Sequence, residues 1–110
     1  MVLTFNKNNK NIFDAIKHGK KKVETRAATE KYQKIKEGDI VTFSCEGDTF
    51  DKKVSQVYHV TSIDLLLVMY KPEDINPGLT TKEETIEMYH SFPDYKEKIE
   101  AFGLIVIELE

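Results

Sequence analysis

The spacing of apolar side chains at the start of the chain predicts a strand followed by a helix. Residues 2–5 have the pattern of a short strand, and residues 9–18 place their apolar side chains on one helical face. Gly19 comes next and is the expected C-terminal cap, because glycine adopts positive φ without steric cost. The lysine-rich segment that follows therefore begins where a helix ends.

Residues 22–27 alternate between two unlike faces, which predicts a second strand. One face carries small or apolar side chains and the other carries charged ones: Val23, Thr25 and Ala27 against Lys22, Glu24 and Arg26. We therefore expect Glu24 and Arg26 to point the same way, and Thr25 to point away from them.

Turn residues divide the middle of the chain into a β-meander. Gly38-Asp39 leads into a strand over 40–43, and Glu46-Gly47-Asp48 connects this strand to a longer one over 49–63. Asp64 is the expected N-cap of a short apolar helix over 65–70.

The last third of the chain predicts a helix and then a buried strand. Thr80 or Thr81 is expected to begin the helix, since Thr81 and Glu84 have capping-box spacing, and Pro93 is expected to end it. Residues 103–107 are almost continuously apolar, as in a strand buried on both faces. Five to six strands with three to four peripheral helices predict one α+β domain over residues 1–110, built on a small barrel-like sheet.

Charge is distributed unevenly along the chain. The formal net charge is -3, which argues against a general polyanion binder. Residues 1–37 nevertheless carry ten basic and four acidic side chains, a balance of +6, and residues 38–110 carry -9. A basic segment of this kind favours an anionic partner, although a solvated lysine-rich helix face is the alternative. The acidic part could instead bind a basic protein partner.

Several classes of protein and site are excluded by what the sequence lacks. Cys45 is the only cysteine, so no intrachain disulfide can form. No window approaches the ~20 apolar residues of a membrane span, and we expect a cytoplasmic protein without membrane contact. The histidines are scattered and no phosphate-binding glycine loop is present, so we expect neither a metal nor a cofactor.

The charged segment after Gly19 is the first candidate ligand site. Lys20, Lys21 and Lys22 supply positive potential, and a pairing of Glu24 with Arg26 would orient the guanidinium for two-point contact with a phosphate or a base edge. Its neighbours push the pKa of Lys21 in opposite directions, so Lys21 is either a phosphate-neutralising cation or a general base. The alternative is an exposed strand edge that is protected from aggregation by its charge.

Aromatic and hydroxyl side chains near the end of the second predicted helix form another candidate cluster. Tyr89, Ser91 and Tyr95 would lie beside a basic cleft, where rings can stack on a base for ~1–3 kcal/mol each. Packing of the tyrosine rings against the end of the core is the alternative.

Two linked patterns resemble the ASCH family of the PUA-like superfamily. They are Gly19-x-Lys21-x-x-Glu24-x-Arg26 and Ile35-Lys36-x-Gly38-Asp39-x-Val41. The resemblance implies a PUA-like small mixed β-barrel whose cleft binds RNA or a modified nucleoside or nucleotide, with no preference for DNA. On this basis Lys20, Lys21, Lys22, Glu24, Arg26, Tyr89, Ser91 and Tyr95 are the expected ligand-binding residues.

The same resemblance suggests a hydrolase as an alternative. One small-protein branch of the family removes the acetyl group of acetylcytidine with a Lys, Thr and Glu arrangement. Lys21 matches the lysine, whereas Glu24 occupies the place of the threonine, and Glu73 or Asp74 aligns loosely with the third member. Lys21 and Glu24 are thus the candidate catalytic residues for an amidohydrolase-like or RNA-cleaving reaction through an activated water. A protein-interaction module associated with translation is the second alternative.

Overall fold

A curled five-stranded sheet with five helices around it forms the protein in the computed structural model, which describes residues 1–110. The strands are β1 (Val2–Phe5), β2 (Val23–Ala27), β3 (Ile40–Cys45), β4 (Asp48–Val60) and β5 (Leu104–Leu109). The helices are α1 (Lys10–Lys17), α2 (Ile63–Met69), α3 (Pro72–Ile75), α4 (Lys82–Ser91) and α5 (Tyr95–Phe102). The predicted α+β fold with a barrel-like sheet is confirmed.

The order of strands in the sheet is β1-β3-β4-β5-β2, so the edge strands are β1 and β2. β1 is parallel to β3, and the other neighbouring pairs are antiparallel. The sheet curls far enough for Phe5 of β1 and Arg26 of β2 to line the same cavity. The barrel is therefore open at one seam, between its two edge strands.

Two apolar clusters fill the space on the two sides of β5. Ile105 and Ile107 belong to the first cluster, which β1, β3 and α1 complete. Leu104 and Val106 belong to the second cluster, where the later helices cover the sheet. β5 is buried on both faces, as its nearly continuous apolar sequence predicts.

The end of α1 sets the direction in which the lysine segment leaves the helix. Gly19 has a φ of +76°, the left-handed conformation expected of a C-terminal glycine. The Ala15 carbonyl then accepts the backbone N–H groups of both Lys20 and Lys21, at 2.9 and 3.0 Å. This turn delivers the chain into β2.

The later helices confirm one predicted cap and correct another. Thr81 and Glu84 form the predicted capping box at the start of α4. Ser62, not Asp64, is the N-cap of α2, since its hydroxyl accepts the Leu65 N–H at 3.1 Å. The Asp64 carboxylate instead pairs with Lys82 at 2.8 Å. The prediction was wrong by two residues because an extended Ser62 satisfies an N–H of the first turn before Asp64 is reached.

Two short helices were not among the predicted elements. α3 has four residues and starts at Pro72, a residue that suits a first helical turn. α5 follows Asp94, whose left-handed φ of +63° reverses the chain after α4. The structure thus has more helices than the three to four expected. None of them is long and apolar enough to cross a membrane.

Candidate functional site

The open seam of the sheet contains a cavity of about 220 Å³. β1 and the turn after it form one wall, and β2 forms the opposite wall. Residues of α1, of α4, of the α4–α5 connection and of the start of α5, together with Ile75 and Asn76, complete the lining. Of the predicted ligand-binding residues, the cavity brings together Lys21, Glu24, Arg26, Tyr89 and Tyr95.

Side chains occupy the outer edge of β2, where a neighbouring strand would otherwise bind. In an antiparallel pair every second residue directs its backbone N–H and C=O away from the partner strand. The Val23 carbonyl accepts from Lys21 Nζ at 2.6 Å, and the Thr25 N–H donates to Glu24 Oε1 at 3.2 Å. The Ala27 N–H donates to the Tyr95 hydroxyl at 3.4 Å. These contacts protect the strand edge and leave the cavity open.

Lys21 is almost fully buried, with 4% of its surface exposed. Its ammonium donates to the carbonyl oxygens of Val23 and Ile75 and lies 3.4 Å from Glu24 Oε1. Burial lowers the pKa of Lys21, and the Glu24 carboxylate opposes this shift. The three acceptors match the three N–H donors of an ammonium, so Lys21 ties β2 to α3.

Glu24 lies between two cations. Its Oε1 faces Lys21, and its Oε2 accepts from Arg26 Nε at 3.3 Å and Nη2 at 3.1 Å. The predicted pairing with Arg26 is therefore present. With Lys21 protonated, two positive charges and one negative charge give this cluster an excess of one positive charge.

Arg26 is fixed on three sides and open on the fourth. Its guanidinium carbon lies 5.0 Å from the ring centroid of Phe5 and 5.7 Å from that of Tyr32, within cation–π range. Burial acts to lower the pKa of Arg26, but the Glu24 carboxylate, Tyr32 and Tyr95 together outweigh this effect, and the pKa is raised. Arg26 Nη1 makes no hydrogen bond within the protein. Every buried side-chain nitrogen or oxygen atom of the protein has a hydrogen-bond partner, so Nη1 is not buried and solvent reaches it. The Arg26 guanidinium is thus held in one orientation and keeps a donor that solvent reaches.

The tyrosines have different surroundings. Tyr89 is buried in the second apolar cluster, and its hydroxyl pairs with the hydroxyl of Thr25. Burial raises the pKa of Tyr89, against the effect of the Thr25 hydrogen bond. Phe92 packs edge-to-face on both Tyr89 and Tyr95, with centroid distances of 6.2 and 5.3 Å. Core packing therefore holds Tyr89, while Phe92 and Tyr95 also line the cavity.

Three predicted ligand-binding residues lie outside the cavity. Lys20 and Lys22 are exposed and line a second groove. The Ser91 hydroxyl is exposed and donates to the Met88 carbonyl at 2.6 Å. Their role in binding stays a prediction. Of the residues loosely aligned with a catalytic acid, Glu73 is exposed, and the Asp74 carboxylate caps α3 by accepting the Lys71 N–H at 3.1 Å.

Sequence reasoning missed two asparagines at the cavity. Asn6 and Asn9 both line it, and neither side-chain amide caps the helix that it precedes. The signal in the sequence was the density of asparagine between the first strand and the first helix, Asn6, Asn8, Asn9 and Asn11. Such residues usually indicate a helix start, which concealed their position at a cavity. Elsewhere, no group of three or more His, Cys, Asp or Glu side chains could hold a metal ion.

Known proteins resemble the chain over its whole length. The ASCH domain pattern matches residues 8–110, whereas a comparison with curated proteins gave no match. The crystal structure of the hypothetical protein PH0355 is 34% identical, with a TM-score of 0.82, 100% of this chain covered and 98% of the other. The solution NMR structure of protein PF0455 from Pyrococcus furiosus is 32% identical, with a TM-score of 0.77 and coverage of 100% and 96%. The chain belongs to the ASCH domain family, which is associated with RNA binding.

Proposed function

We propose that this protein binds RNA by taking one unpaired base or modified nucleoside into the cavity between β1 and β2. The observation that carries the proposal is Arg26: its guanidinium is oriented by Glu24, lies over the rings of Phe5 and Tyr32, and retains unpaired donors at the cavity. An arginine held in this way has given up its side-chain freedom before the ligand arrives. Less conformational entropy remains to be lost on binding.

The size of the cavity favours a single ring system. Its volume of about 220 Å³ lies below the ~300–1,000 Å³ typical of pockets for drug-sized ligands. Several nucleotides would not fit together inside it. Sequence-specific RNA recognition usually acts on splayed, unpaired bases, which are units of suitable size.

The excess positive charge and the free Arg26 donors favour an acceptor-rich ligand. Carbonyl and ring-nitrogen acceptors on a base edge, or phosphate oxygens, can accept from a guanidinium in two-point geometry. The amides of Asn6 and Asn9 each add a donor and an acceptor at the same cavity. Together these groups could read the hydrogen-bonding edge of a base.

Aromatic rings supply an apolar surface for the same ligand. Phe5, Phe92 and Tyr95 all line the cavity. A base that stacks on such a ring gains ~1–3 kcal/mol irrespective of its identity. Stacking would therefore contribute affinity, and the polar groups would contribute selectivity.

The contacts of Lys21 and Thr25 support binding over hydrolysis. The Lys21 ammonium is surrounded by three acceptors, and the Thr25 hydroxyl pairs with Tyr89. Neither group is free to serve as general base or nucleophile in this arrangement. Incubation of the protein with acetylcytidine and with a short RNA, followed by chromatography, tests the alternative. Release of cytidine or of shortened RNA would overturn the assignment to binding alone.

Substitution of Arg26 tests the binding proposal directly. Arg26→Ala should weaken binding of nucleosides and short single-stranded RNA about 10- to 100-fold, since hydrogen bonds to a charged group contribute ~1.5–3 kcal/mol. Arg26→Lys keeps the charge but lacks the planar fork, and should recover only part of the affinity. Lys34→Ala, at an exposed position outside the cavity, is the matched control.

Titration calorimetry or fluorescence anisotropy gives the affinities, and circular dichroism checks the fold. Equal affinity of the wild-type protein and Arg26→Ala would contradict the proposal. So would the absence of any binding by the wild-type protein.

A further inference from the structure

A second groove, of about 170 Å³, lies next to the cavity. Lys20, Lys22, Tyr70 and Asp74 contribute its side chains, and Gly19 and Val23 complete the lining. We call it the lysine groove. The proposed binding of a base in the cavity does not involve this groove.

The cavity and the lysine groove are opposite sides of one wall. Lys21 and Ile75 line the cavity, whereas their chain neighbours Lys20, Lys22 and Asp74 line the groove. The hydrogen bond from Lys21 Nζ to the Ile75 carbonyl joins the two segments that form the wall. A ligand that extends over this wall would contact both sites.

The backbone holds the two groove lysines at fixed positions. The Lys20 N–H donates to the Ala15 carbonyl of α1 at 2.9 Å, and the Lys22 carbonyl accepts the Leu109 N–H at 2.9 Å. Both side chains are exposed, and neither takes part in any of the salt bridges of the protein. They are cations with fixed anchor points and no internal partner.

Acidic groups limit how much negative charge the lysine groove can bind. Asp74 lies in it, although one of its carboxylate oxygens already caps α3. Burial raises the pKa of Tyr70, and the nearby Glu108 carboxylate raises it further, so the phenol stays neutral. Two lysines opposed by two neighbouring acids suit a short stretch of backbone better than an extended polyanion.

We propose that the lysine groove binds the phosphate of the nucleotide adjacent to the one in the cavity, with the Tyr70 ring beside it. The ligand is then a strand of RNA and not a free nucleoside. This inference rests on the proposed function, because the position of the groove has meaning only if a base occupies the cavity. In this arrangement Lys20 and Lys22 contact the backbone of the RNA strand, and the cavity residues contact the base.

The test compares one double variant with two probes. Lys20→Ala/Lys22→Ala should weaken binding of a short single-stranded oligoribonucleotide about tenfold at low salt. The slope of log K against log salt concentration should become shallower by ~0.7 for each phosphate that the variant no longer neutralises. Affinity for the corresponding mononucleoside should not change, because it carries no phosphate.

Lys34→Ala/Lys36→Ala is the matched control, since it removes two exposed lysines at the same spacing away from both sites. Equal effects of the two double variants on the oligonucleotide would overturn the inference. So would unchanged oligonucleotide binding, or a parallel decrease in nucleoside binding.

The two proposals fail differently. If the wild-type protein binds the nucleoside and the oligonucleotide gains nothing over it, only the lysine-groove inference is wrong. If the protein binds neither probe, the proposed function is wrong and the inference falls with it.

Discussion

Glu24 and Arg26 lie two positions apart on one strand, and Arg26 donates from both Nε and Nη2 to the single carboxylate oxygen Oε2 of Glu24. The other carboxylate oxygen faces Lys21 at 3.4 Å. One anion therefore organises two cations, one buried and one open to the cavity. The charged cluster depends on Glu24 more than on either cation.

Removal of this anion should destabilise the protein strongly. Glu24→Ala leaves the buried Lys21 ammonium next to Arg26 without a counter-charge, and we expect a decrease of ~3–5 kcal/mol in the free energy of unfolding. Glu24→Gln keeps the shape and an acceptor for the Thr25 N–H, so its effect should be smaller. Urea unfolding measures both. A decrease below ~1 kcal/mol for Glu24→Ala would show that the cluster contributes little to stability.

Lys21 should make stability depend on pH in the alkaline range. Burial lowers its pKa below the ordinary value of 10.5, so between the lowered pKa and 10.5 the unfolded chain binds more protons than the folded protein. Stability from this group therefore rises with pH through that window and is constant above it. The Lys21→Met variant has no ionisable group at this position and therefore lacks this contribution.

The difference in unfolding free energy between wild type and Lys21→Met should accordingly increase with pH up to about 10.5. Subtraction cancels the titration of the buried tyrosines, which both proteins share. Chemical denaturation from neutral to alkaline pH gives the difference. A flat line for Lys21→Met would contradict the prediction.

The buried hydroxyl pair of Thr25 and Tyr89 should behave as a coupled unit. Tyr89→Phe leaves the Thr25 hydroxyl without its partner and should cost ~1–3 kcal/mol. The double variant Thr25→Val/Tyr89→Phe removes both polar groups and should be less destabilised than the sum of the two single variants. A double-mutant cycle by thermal or urea unfolding measures the coupling. Simple additivity would contradict the prediction.

Gly103 should tolerate substitution less well than another glycine with a positive φ. Its φ is +77°, and an added Cβ would overlap the Val60 carbonyl oxygen. Gly38 has a φ of +91° with open space around the added atom. A positive φ costs an alanine ~1–2 kcal/mol in the left-handed region. Gly103→Ala must in addition adopt a ψ of -160°, a combination essentially restricted to glycine, and adds the steric overlap. Thermal unfolding should rank Gly103→Ala as clearly less stable; equal stability would contradict this ranking.

Local chemistry made much of the fold predictable from the sequence. The capping box of Thr81 and Glu84 depends on neighbouring residues alone, and the strand over residues 2–5 has a local apolar pattern. Both were predicted at their observed positions. The pairing of Glu24 with Arg26 followed from strand alternation in the same way. Such features need no information from distant parts of the chain.

Features that depend on distant partners escaped prediction. Lys21 is buried between two exposed lysines because the Ile75 carbonyl, 54 residues away, accepts from its ammonium. The pattern Gly19-x-Lys21-x-x-Glu24-x-Arg26 sets Lys21 apart from Lys20 and Lys22 but does not predict its burial. The positions of Asn6 and Asn9 at the cavity likewise depend on the curl of the sheet, which brings β1 to β2.

A ligand that binds in the open seam should shift the folding equilibrium toward the folded state. A molecule held between β1 and β2 contacts both ends of the sheet, and unfolding would release it. Binding at a concentration 100-fold above Kd would stabilise the folded state by ~2.7 kcal/mol, which raises the melting temperature by ~10 °C for a domain of this size. A panel of nucleosides and modified nucleosides could be ranked by melting temperature alone, without a label or an assumed reaction. The melting temperature of the protein therefore reports which ligand binds in the open seam.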